Sequence, residues 1–439
     1  MSAASPSAGS WPPVLVAGAE SRPGLLVVRG LGRAGIPVIA AGSGGRPLGF
    51  ASRYATVCRT VAPSVADADR FVGDVLDVAR SEGAALIVPA TESALVALEG
   101  RREEVDAVAP LAAAPSAAVR RSLDKREMLP LAERLGLPIP RQAQGQSLAD
   151  LFERTRDFEF PVAIKPFGPG VLVRAQTGQT LDLKVTFAEN RGQLEQILSG
   201  WPGLAPALIV QEYVLGLGVG IEGVYDHGRR RAMLAYDRVR ENPLTGGVAT
   251  IRRSIPLPEE QAHLSDRLLE HLGWHGVGMT EWKRRPDGRY VFMELNGRFS
   301  AGGTVTLDSG LNFPHFVAAL FLGRPLPTAA AYRVGVTERW LIGDLQMLER
   351  YAVERLSRTP RESVATRLPS AGRVLVDFVA DFRPGVHLDE VKRDDWGPLR
   401  PWLVEVLRQV LHSGVQVGKA ALRPWVAPLR RFLRGKQSS

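Results

Sequence analysis

Residues 278–298 read Gly278-Met-Thr-Glu-Trp-Lys-Arg-Arg-Pro-Asp-Gly-Arg-Tyr-Val-Phe-Met-Glu-Leu-Asn-Gly-Arg298 and contain two strand-like runs around a turn. The dipeptide Asp287-Gly288 is a strong signal for a two-residue β-hairpin loop. With those two residues as the loop, counting back along both strands places Glu281 directly opposite Glu294. The Cβ atoms of such cross-strand neighbours lie about 5 Å apart. The stretch therefore predicts a hairpin that holds two carboxylates side by side.

Side chains along each strand of this hairpin alternate between its two faces. The face of Glu294 also carries Asn296 and Arg298. The opposite face suits a hydrophobic core and carries Trp282, Met293 and Leu295. The hairpin therefore predicts one polar face and one buried face.

Two carboxylates directly opposite each other destabilise a sheet unless a positive charge compensates them. A divalent cation fits this position, because Mg²⁺ takes hard oxygen ligands from few protein residues and often completes its shell with phosphate oxygens. Glu281, Glu294 and the amide oxygen of Asn296 are such ligands. Arg298 has the charge to bind a phosphoryl oxygen or a substrate carboxylate. A second interpretation stays open, in which Lys283 and Arg298 balance the acids on a solvated face.

The composition indicates a folded chain of two or three domains. Its 439 residues are 45% hydrophobic and 23% charged, which excludes general disorder. Cys58 is the only cysteine, which excludes an intrachain disulfide and a cysteine-rich zinc module. No apolar run reaches the roughly 18 residues of a membrane span. No Lys or Arg precedes Arg22, which argues against a secretory signal. We expect a cytoplasmic protein.

The N-terminal part predicts a small parallel α/β sheet. Residues 1–10 are mostly Ser, Ala, Gly and Pro and predict a disordered leader. Apolar strand-like runs then alternate with helical spacing over residues 11–115. The turn Gly18–Gly24 does not match the GxGxxG pattern, so we assign no dinucleotide site to it. Ala112–Pro115 predicts a domain boundary.

Three predicted elements in the middle of the chain carry polar residues at notable positions. A helix that starts with Asp124-Lys125 runs to about Leu135. The apolar strand before Pro166 carries Lys165, and a buried lysine is costly without an anion. A further strand contains Gln211-Glu-Tyr-Val214 and ends near Gly216.

In the order and spacing of these residues the sequence resembles the ATP-grasp superfamily. Within it, the resemblance is to the carboxylate–amine ligases and the carbamoyl-phosphate-synthase-like predicted carboligases, and it covers roughly residues 11–325. The metal signature of the family is an acidic residue on one strand and Glu-x-Asn on the next, often followed by Pro-Arg. Here these positions are Glu281, Glu294-Leu-Asn296 and Arg298, with Gly297 in place of the common proline.

The resemblance implies an α/β fold (the α+β ATP-grasp architecture) in several parts. Residues 11–115 would be a Rossmann-like pre-ATP-grasp domain, and residues 116–325 the ATP-grasp domain. Within the latter, a lid subdomain would span about 140–212, and the remainder would be a catalytic subdomain built on an antiparallel sheet.

The resemblance also implies a site for ATP and Mg²⁺ (or Mn²⁺), with Glu281, Glu294 and Asn296 as metal ligands. Two lysines, Lys125 and Lys165, would bind the nucleotide, the latter at the α- and β-phosphates. The loop Gly168–Gly170 would be the flap over the phosphates. The adenine would hydrogen-bond to the backbone of the interdomain strand that contains Gln211, Glu212 and Val214.

Two further roles follow from the resemblance with less sequence support. Family members hold the ribose with an acidic residue a few positions after the interdomain strand, but Gly218 stands there and Glu222 is the nearest candidate. An arginine on the substrate side steadies the transferred phosphoryl group together with Arg298. Arg252 and Arg253 are candidates for it, and on a strand only one of them can face the site.

The function implied is that of an ADP-forming ligase, most often one that forms a carbon–nitrogen bond. A substrate carboxylate would become an acyl phosphate, which an amine, or less often a thiol, would then attack. The expected partners are a small-molecule carboxylate and an amine, not a nucleic acid, and a homodimer is permitted. Two alternatives stay open: a biotin-carboxylase-like activation of bicarbonate, and a nucleotide-binding module without catalysis.

The C-terminal part carries no motif that assigns it a function. Residues 326–415 form an extension, and residues 416–439 a basic tail with no acidic residue. The tail has helical spacing of apolar residues, but Pro424 and Pro428 oppose a continuous helix. Two interpretations stay open for its apolar face. We favour docking on the protein's own body over contact with an anionic membrane surface.

Overall fold

The computed structural model describes the chain in eight stretches, residues 10–45, 47–166, 172–174, 180–182, 185–201, 203–244, 246–356 and 369–435. For residues 172–174, 180–182 and 422–435 it describes the backbone alone. Residues 1–9 of the predicted leader and the predicted flap Gly168–Gly170 lie outside the described residues.

Parallel strands form the N-terminal sheet, as the alternation of apolar runs predicts. The strands are β1 (Val14–Ala17), β2 (Val38–Gly42), β3 (Val57–Thr60) and β4 (Leu86–Pro89). Their order in the sheet is β3-β2-β1-β4. The helices of this part are α1 (Arg22–Arg33), α2 (Ala68–Ser81), α3 (Glu92–Glu99) and α4 (Arg102–Asp106). Strands β1, β2 and β4 are buried throughout, because structure covers both faces of this sheet.

Two short helices connect this part to a smaller antiparallel sheet. They are α5 (Ser116–Leu123) and α6 (Lys125–Arg134), and Asp124 caps the second through the N–H of Arg126. The strands that follow are β5 (Gln142–Ala143), β6 (Val162–Pro166), β7 (Leu172–Arg174), β8 (Thr180–Asp182), β9 (Thr186–Ala188) and β10 (Leu208–Glu212). The antiparallel sheet has the order β5-β10-β6-β9, while β7 pairs with β8. Helices α7 (Leu148–Arg154) and α8 (Arg191–Ser199) accompany it. We refer to this unit as the lid sheet.

A seven-stranded sheet forms the larger half of the molecule. Its strands are β11 (Leu217–Asp226), β12 (Arg229–Asn242), β13 (Val248–Ile255), β14 (Gly276–Arg284), β15 (Tyr290–Asn296), β16 (Thr337–Arg339) and β17 (Val386–Leu388). Their order is β15-β14-β11-β12-β13-β16-β17, and all neighbours except β16 and β17 are antiparallel. Helices α9 (Glu259–His271), α10 (Thr304–Ser309) and α11 (Phe313–Phe321) belong to the same half.

The predicted extension, residues 326–415, is built into this sheet rather than attached beside it. It supplies β16 and β17, and three helices, α12 (Leu341–Leu356), α13 (Ala371–Ala380) and α14 (Leu399–Gly435). The expected boundary between extension and tail falls inside α14, which continues through Pro424 and Pro428. The sequence predicts that these prolines interrupt the helix, and this prediction is wrong for the described backbone. Among the described helices, none has both the length and the apolar character to cross a membrane.

Hydrophobic packing separates the lid sheet from the rest. One core cluster joins Phe71 of the N-terminal sheet region with Trp274, Trp282 and Phe292 of the seven-stranded half. The lid has a cluster of its own around Leu194, Leu198 and Val210. A cleft lies between these two bodies.

Candidate active site

The hairpin of β14 and β15 holds Glu281 directly opposite Glu294, as the sequence predicts. The loop itself differs from the prediction. The N–H of Arg285 donates to the carbonyl of Arg289 at 2.8 Å, so the loop has three residues rather than two. Its last residue, Gly288, adopts the left-handed conformation with φ of 84°. This is the loop type in which a left-handed residue closes a three-residue hairpin.

A bulge compensates for the extra loop residue. Trp282 pairs with Phe292, and the register shifts between this pair and the two carboxylates. Met293 is the residue that the bulge displaces. It lies in the wall of the cleft, which corrects its expected place on the core face. Trp282 and Leu295 are buried in the core as predicted.

Basic side chains balance the charge of the two carboxylates in this structure. The Nζ of Lys125, at the start of α6, lies 3.3 Å from Oε2 of Glu294. Arg238 of β12 forms an ion pair with Glu281, and its Nε lies 2.8 Å from Oε1 of Glu241. Burial acts to raise the pKa of Glu294, but the ammonium of Lys125, the hydrogen bond from Asn296 and the charges of Lys165 and Arg298 together outweigh it and hold that pKa at about 2. Burial raises the pKa of Glu281 against the opposing effect of Arg238.

Lys165 projects from β6 of the lid sheet into the cleft. Its Nζ donates to Oε1 of Gln211 at 2.7 Å, so a neutral amide contacts its ammonium. Burial, together with the positive charge of Lys125, lowers the pKa of Lys165 to about 8. A bound anion would remove this electrostatic penalty.

Three side chains at the end of the hairpin form a hydrogen-bonded chain. The Nδ2 of Asn296 donates to Oε1 of Glu294 at 3.1 Å, and a guanidinium N–H of Arg298 donates to Oδ1 of Asn296 at 3.2 Å. Arg298 also donates to the carbonyl of Phe299 at 3.2 Å. These contacts hold the guanidinium of Arg298 at the cavity wall.

One cavity of about 490 Å³ brings most of these residues together, between the lid sheet and the seven-stranded sheet. Of the predicted site residues, it is lined by Lys165, Gln211, Glu212, Val214, Glu281, Glu294, Asn296 and Arg298. Lys125 lies in a small adjoining recess that shares Glu294 with the cavity. Arg350 of α12 also reaches the cavity, so the extension contributes to its wall.

The strand end at Gln211–Val214 forms part of the cavity wall. The carboxylate of Glu212 points elsewhere, since it accepts from the N–H of Glu159 at 2.9 Å and lies 3.6 Å from Arg141. The N–H of Val214 makes no hydrogen bond within the described part of the chain. That N–H is therefore free to bind a ligand acceptor.

Next to Gly218, where the resemblance implies an acid for the ribose, the structure places a carboxylate from a different strand. Glu222 is fully buried, and its carboxylate accepts from the N–H and hydroxyl of Ser300 at 3.2 and 2.7 Å, so it does not reach the cavity. A Cβ at Gly218 would lie 2.7 Å from Oε1 of Glu241. The carboxylate of Glu241 thus occupies the space next to Gly218 and lines the cavity.

Arg252 does not reach the cavity, which corrects the role expected for it. Its guanidinium is fully buried, donates to Oγ1 of Thr304 at 2.7 Å and forms an ion pair with Asp389. Arg253 is exposed. The arginine of this region that lines the cavity is Arg238 of β12, which was not among the candidates from the sequence.

The structure predicts that an Arg252→Met variant loses stability rather than chemistry. Removing one partner of a buried ion pair leaves Asp389 buried with Arg22, at 2.9 Å, as its remaining ion-pair partner among the described residues. We expect the free energy of unfolding to fall by about 3 kcal/mol or more, measured by urea denaturation. The double variant R252M/D389L should recover only part of that loss, because it also removes the ion-pair partner of Arg22. R253Q should unfold like the parent. An R252M protein of unchanged stability that has lost ATP turnover would contradict this assignment.

Three residues of β12 line the cavity but were not predicted from the sequence to face a ligand: Arg238, Glu241 and Tyr236. They stand on β12, which pairs with β13 through two register irregularities. Simple alternation along the strand therefore does not tell which of its side chains face the cleft. The repeated Arg-x-Arg pattern at Arg238 and Arg240 was the available signal.

Comparisons by sequence give no relative: no protein-family model matches the chain, and no curated protein matches it significantly. Comparisons of structure do. A biotin carboxylase–β-γ-ATP complex from Campylobacter jejuni aligns with a TM-score of 0.59 and 15% identity over 74% of each chain.

Two other solved structures align similarly. The biotin carboxylase domain of the Hydrogenobacter thermophilus 2-oxoglutarate carboxylase, in complex with MgADP, ADP and bicarbonate, has a TM-score of 0.57 and 15% identity. The alignment covers 75% of this chain and 74% of that one. The ADP complex of purK, an N5-carboxyaminoimidazole ribonucleotide synthetase, has a TM-score of 0.58 and 14% identity. Here 79% of this chain and 86% of that one are covered.

Fold and alignment together define the class: the chain has the ATP-grasp fold, as the sequence resemblance implies. The parallel N-terminal sheet, the lid sheet and the mostly antiparallel seven-stranded sheet agree with that fold. At identities of 14–15% the likeness establishes the fold, and the activity has to be argued from the site.

Proposed function

We propose that the chain is an ATP-dependent, ADP-forming ligase that activates a substrate carboxylate as an acyl phosphate for attack by an amine. The observation that carries this proposal is the opposed pair Glu281 and Glu294, flanked by Lys125 and Lys165, at the wall of the cavity. Such a site suits a polyphosphate chelated by a divalent cation. The solved structures that share the fold carry ATP or ADP, one of them with magnesium, which supports the same assignment.

The residues present fit Mg²⁺ in charge and in donor type. Two carboxylates from neighbouring strands offer hard oxygens, and both are now balanced by nitrogen cations rather than solvated freely. Asn296 presents its Nδ2 to Glu294 and its Oδ1 to Arg298. A flip of its amide would present Oδ1 to a cation held by Glu294. When bound, Mg²⁺ would neutralise the β- and γ-phosphate oxygens as charge moves between them.

The nucleotide would lie along the lid side of the cavity. Lys165 would bind the phosphate chain, and Lys125 would act through Glu294 or contact a phosphate directly. The free N–H of Val214 would donate to a ring nitrogen of the adenine. Phe187 and Met293 supply apolar surface for the base in the same wall. Glu241 is placed to accept from a ribose hydroxyl.

The proposed reaction has two steps. An oxygen of the substrate carboxylate attacks the γ-phosphorus, and ADP leaves with the electrons of the broken phosphorus–oxygen bond. The nitrogen of the amine then attacks the acyl carbon, loses a proton, and displaces inorganic phosphate. Arg298 and Arg238 would stabilise the negative charge that develops at the transferred group. The lid would exclude water, which otherwise hydrolyses the acyl phosphate.

The transfer of oxygen tests this proposal. Carboxylates labelled with heavy oxygen, each paired with candidate amines, should release ADP and give inorganic phosphate that contains one labelled oxygen. ADP release with phosphate that stays unlabelled would contradict carboxylate activation.

A second candidate is bicarbonate activation, because two of the matching structures are biotin carboxylases and one of them holds bicarbonate. Bicarbonate as the sole added carboxylate should then support ADP release. The organic carboxylates should remain inactive in that case. The two results distinguish the candidates directly.

The lowered pKa of Lys165 predicts a pH dependence of nucleotide binding. Because a phosphate raises this pKa above its value of about 8 in the free protein, affinity for ATP is full below about pH 8 and falls as the pH rises further. Calorimetry should show a loss approaching tenfold per pH unit above that point. K165R, which stays protonated, should bind with little pH dependence in this range. Identical profiles for parent and K165R would show that Lys165 does not contact the phosphates.

A further inference from the structure

Helix α14 carries a stripe of exposed apolar side chains along its first half. Leu403, Leu407 and Leu411 follow one another every four residues and therefore lie on one face. Their exposed fractions are 46%, 63% and 71%. Val404 and Val415 add to the same exposed surface. Large apolar side chains in such a row mark an interaction surface.

The opposite side of α14 is the one that packs on the protein. Gln409 donates to the carboxylate of Glu349 on α12 at 2.9 Å, and Ser413 donates to it at 2.7 Å. Trp402 is buried at the start of the helix. The exposed stripe therefore faces away from the body of the molecule.

The continuity of α14 prevents its second half from folding back over this stripe. The helix runs without interruption from Leu399 to Gly435, 37 residues. Docking of the tail's own apolar residues on the body, the interpretation that the sequence analysis favours, concerns side chains outside the described set. It cannot cover Leu403–Val415, because a continuous helix does not fold back on itself.

Helix α13 extends the exposed apolar surface. Leu375, Val376 and Val379 within this helix and Phe382 just beyond its end are 55–65% exposed. A groove of about 550 Å³ separates α13 from α14, and almost all of its lining is apolar. Leu375 and Val410 line the two sides of this groove, so the surfaces of the two helices are continuous.

The charge of the same segment is strongly positive. Residues 406–439 contain no Asp or Glu. They contain seven basic residues, namely Arg408, Lys419, Arg423, Arg430, Arg431, Arg434 and Lys436. The whole chain has a net charge of +9, so this segment accounts for most of the excess.

We propose that α13 and α14 lie flat on an anionic lipid membrane, with the stripe of α14 in the interface and the positive charge of residues 406–439 attracted to the anionic headgroups. A helix with an apolar face, a basic face and low overall hydrophobicity is typical of such interfacial binding. Anionic lipids attract basic segments of this kind. The surface is independent of the active site and binds the membrane without crossing it.

The charge of this segment also argues against a dimer in which a second copy of the chain covers the exposed surface of α13 and α14. A symmetric dimer through this face would bring the two basic segments together. Seven positive charges on each copy would repel, since the segment offers no acid to pair with them. An anionic lipid surface neutralises the same charges.

Vesicle co-sedimentation of the full chain tests the proposal. At physiological salt, the protein should pellet with phosphatidylcholine vesicles that contain about one quarter phosphatidylglycerol, and it should stay in the supernatant with pure phosphatidylcholine. The variant L407E/L411E should lower binding by about tenfold or more, because it removes apolar contact and adds repulsive charge. Both positions are exposed, so the fold should persist.

A matched control places the same two charges elsewhere. Val65 and Val334 are 76% and 55% exposed, outside α13 and α14, and V65E/V334E should bind vesicles like the parent. Equal loss in both variants, or failure of the parent to pellet with the anionic vesicles, would overturn the proposal. So would a lipid-free parent dimer, seen by light scattering, that L407E/L411E dissociates. These outcomes do not depend on ATP turnover and leave the proposed ligase activity to its own test.

Discussion

A Glu294→Gln variant should fold like the parent chain and lose ATP turnover by about a hundredfold or more. The substitution removes a charged ligand from the proposed Mg²⁺ site while keeping the shape of the side chain. Loss of several kcal/mol of charge stabilisation at the transferred phosphoryl group accounts for an effect of that size. ADP release with the substrates found by the oxygen-transfer screen measures it. Calorimetry of ATP with increasing Mg²⁺ measures the same site without any substrate.

The control for this variant lies on the same hairpin. Asp287 is an exposed carboxylate in the loop, paired with its neighbour Arg289 at 2.6 Å. D287N makes the same chemical change at a distance from the cavity and should leave both ADP release and Mg²⁺-dependent binding unchanged. Turnover near the parent level in folded Glu294→Gln would mean that the two opposed carboxylates hold no catalytic cation. They would then be a structural charge network with Lys125 and Arg238.

The carboxylate pair could be predicted from the sequence because its geometry depends on local contacts. A hairpin joins residues that are close in the chain, and turn residues with alternating side chains specify its pairing. The prediction of Glu281 opposite Glu294 is confirmed even though the hairpin differs from the predicted one at two places, because the two differences cancel. The loop has one residue more than expected, and a bulge at Met293 restores the register. Because of the bulge, Met293 faces the cleft and not the core, so the prediction for this residue is wrong.

The role of Arg252 could not be predicted from the sequence, because a distant segment decides which way it points. Asp389, 137 residues further along the chain, binds its guanidinium, and Thr304 contacts it as well. Strand alternation identifies two possible faces for an arginine but not which face the rest of the chain covers. The pairing of β16 and β17 at the edge of the seven-stranded sheet also depends on contacts between distant parts of the chain.

The fold class was accessible because several short signals agree with one another. The alternating apolar runs of residues 11–115, the lysine strand at Lys165 and the acidic hairpin occur in the order that the ATP-grasp fold requires. Each signal alone is compatible with other folds. Their agreement is more informative, and the structure brings the lid strand and the hairpin together at one cavity.

Replacement of Arg298 by Gln should reduce the turnover number by about a hundredfold to a thousandfold while ATP affinity stays near that of the parent. Its guanidinium is held by the carbonyl of Phe299 and by Asn296, each at 3.2 Å, so its charge is already in place before substrate binds. A preorganised donor of this kind acts mainly on the transition state, where negative charge develops. Its ion-pair partner among the described residues, Glu92 at 3.9 Å, is partly exposed, so stability should change little.

The split between binding and turnover decides the role of Arg298. R253Q, at an exposed arginine outside the cavity, should match the parent in both measurements. If R298Q raises KM for the carboxylate and leaves kcat unchanged, Arg298 binds the ground state and transition state equally and only anchors the substrate. If ATP affinity falls in parallel with turnover, Arg298 belongs to the nucleotide site. A fall in kcat alone places it at the transferred phosphoryl group, because only a contact that strengthens in the transition state lowers kcat without weakening binding.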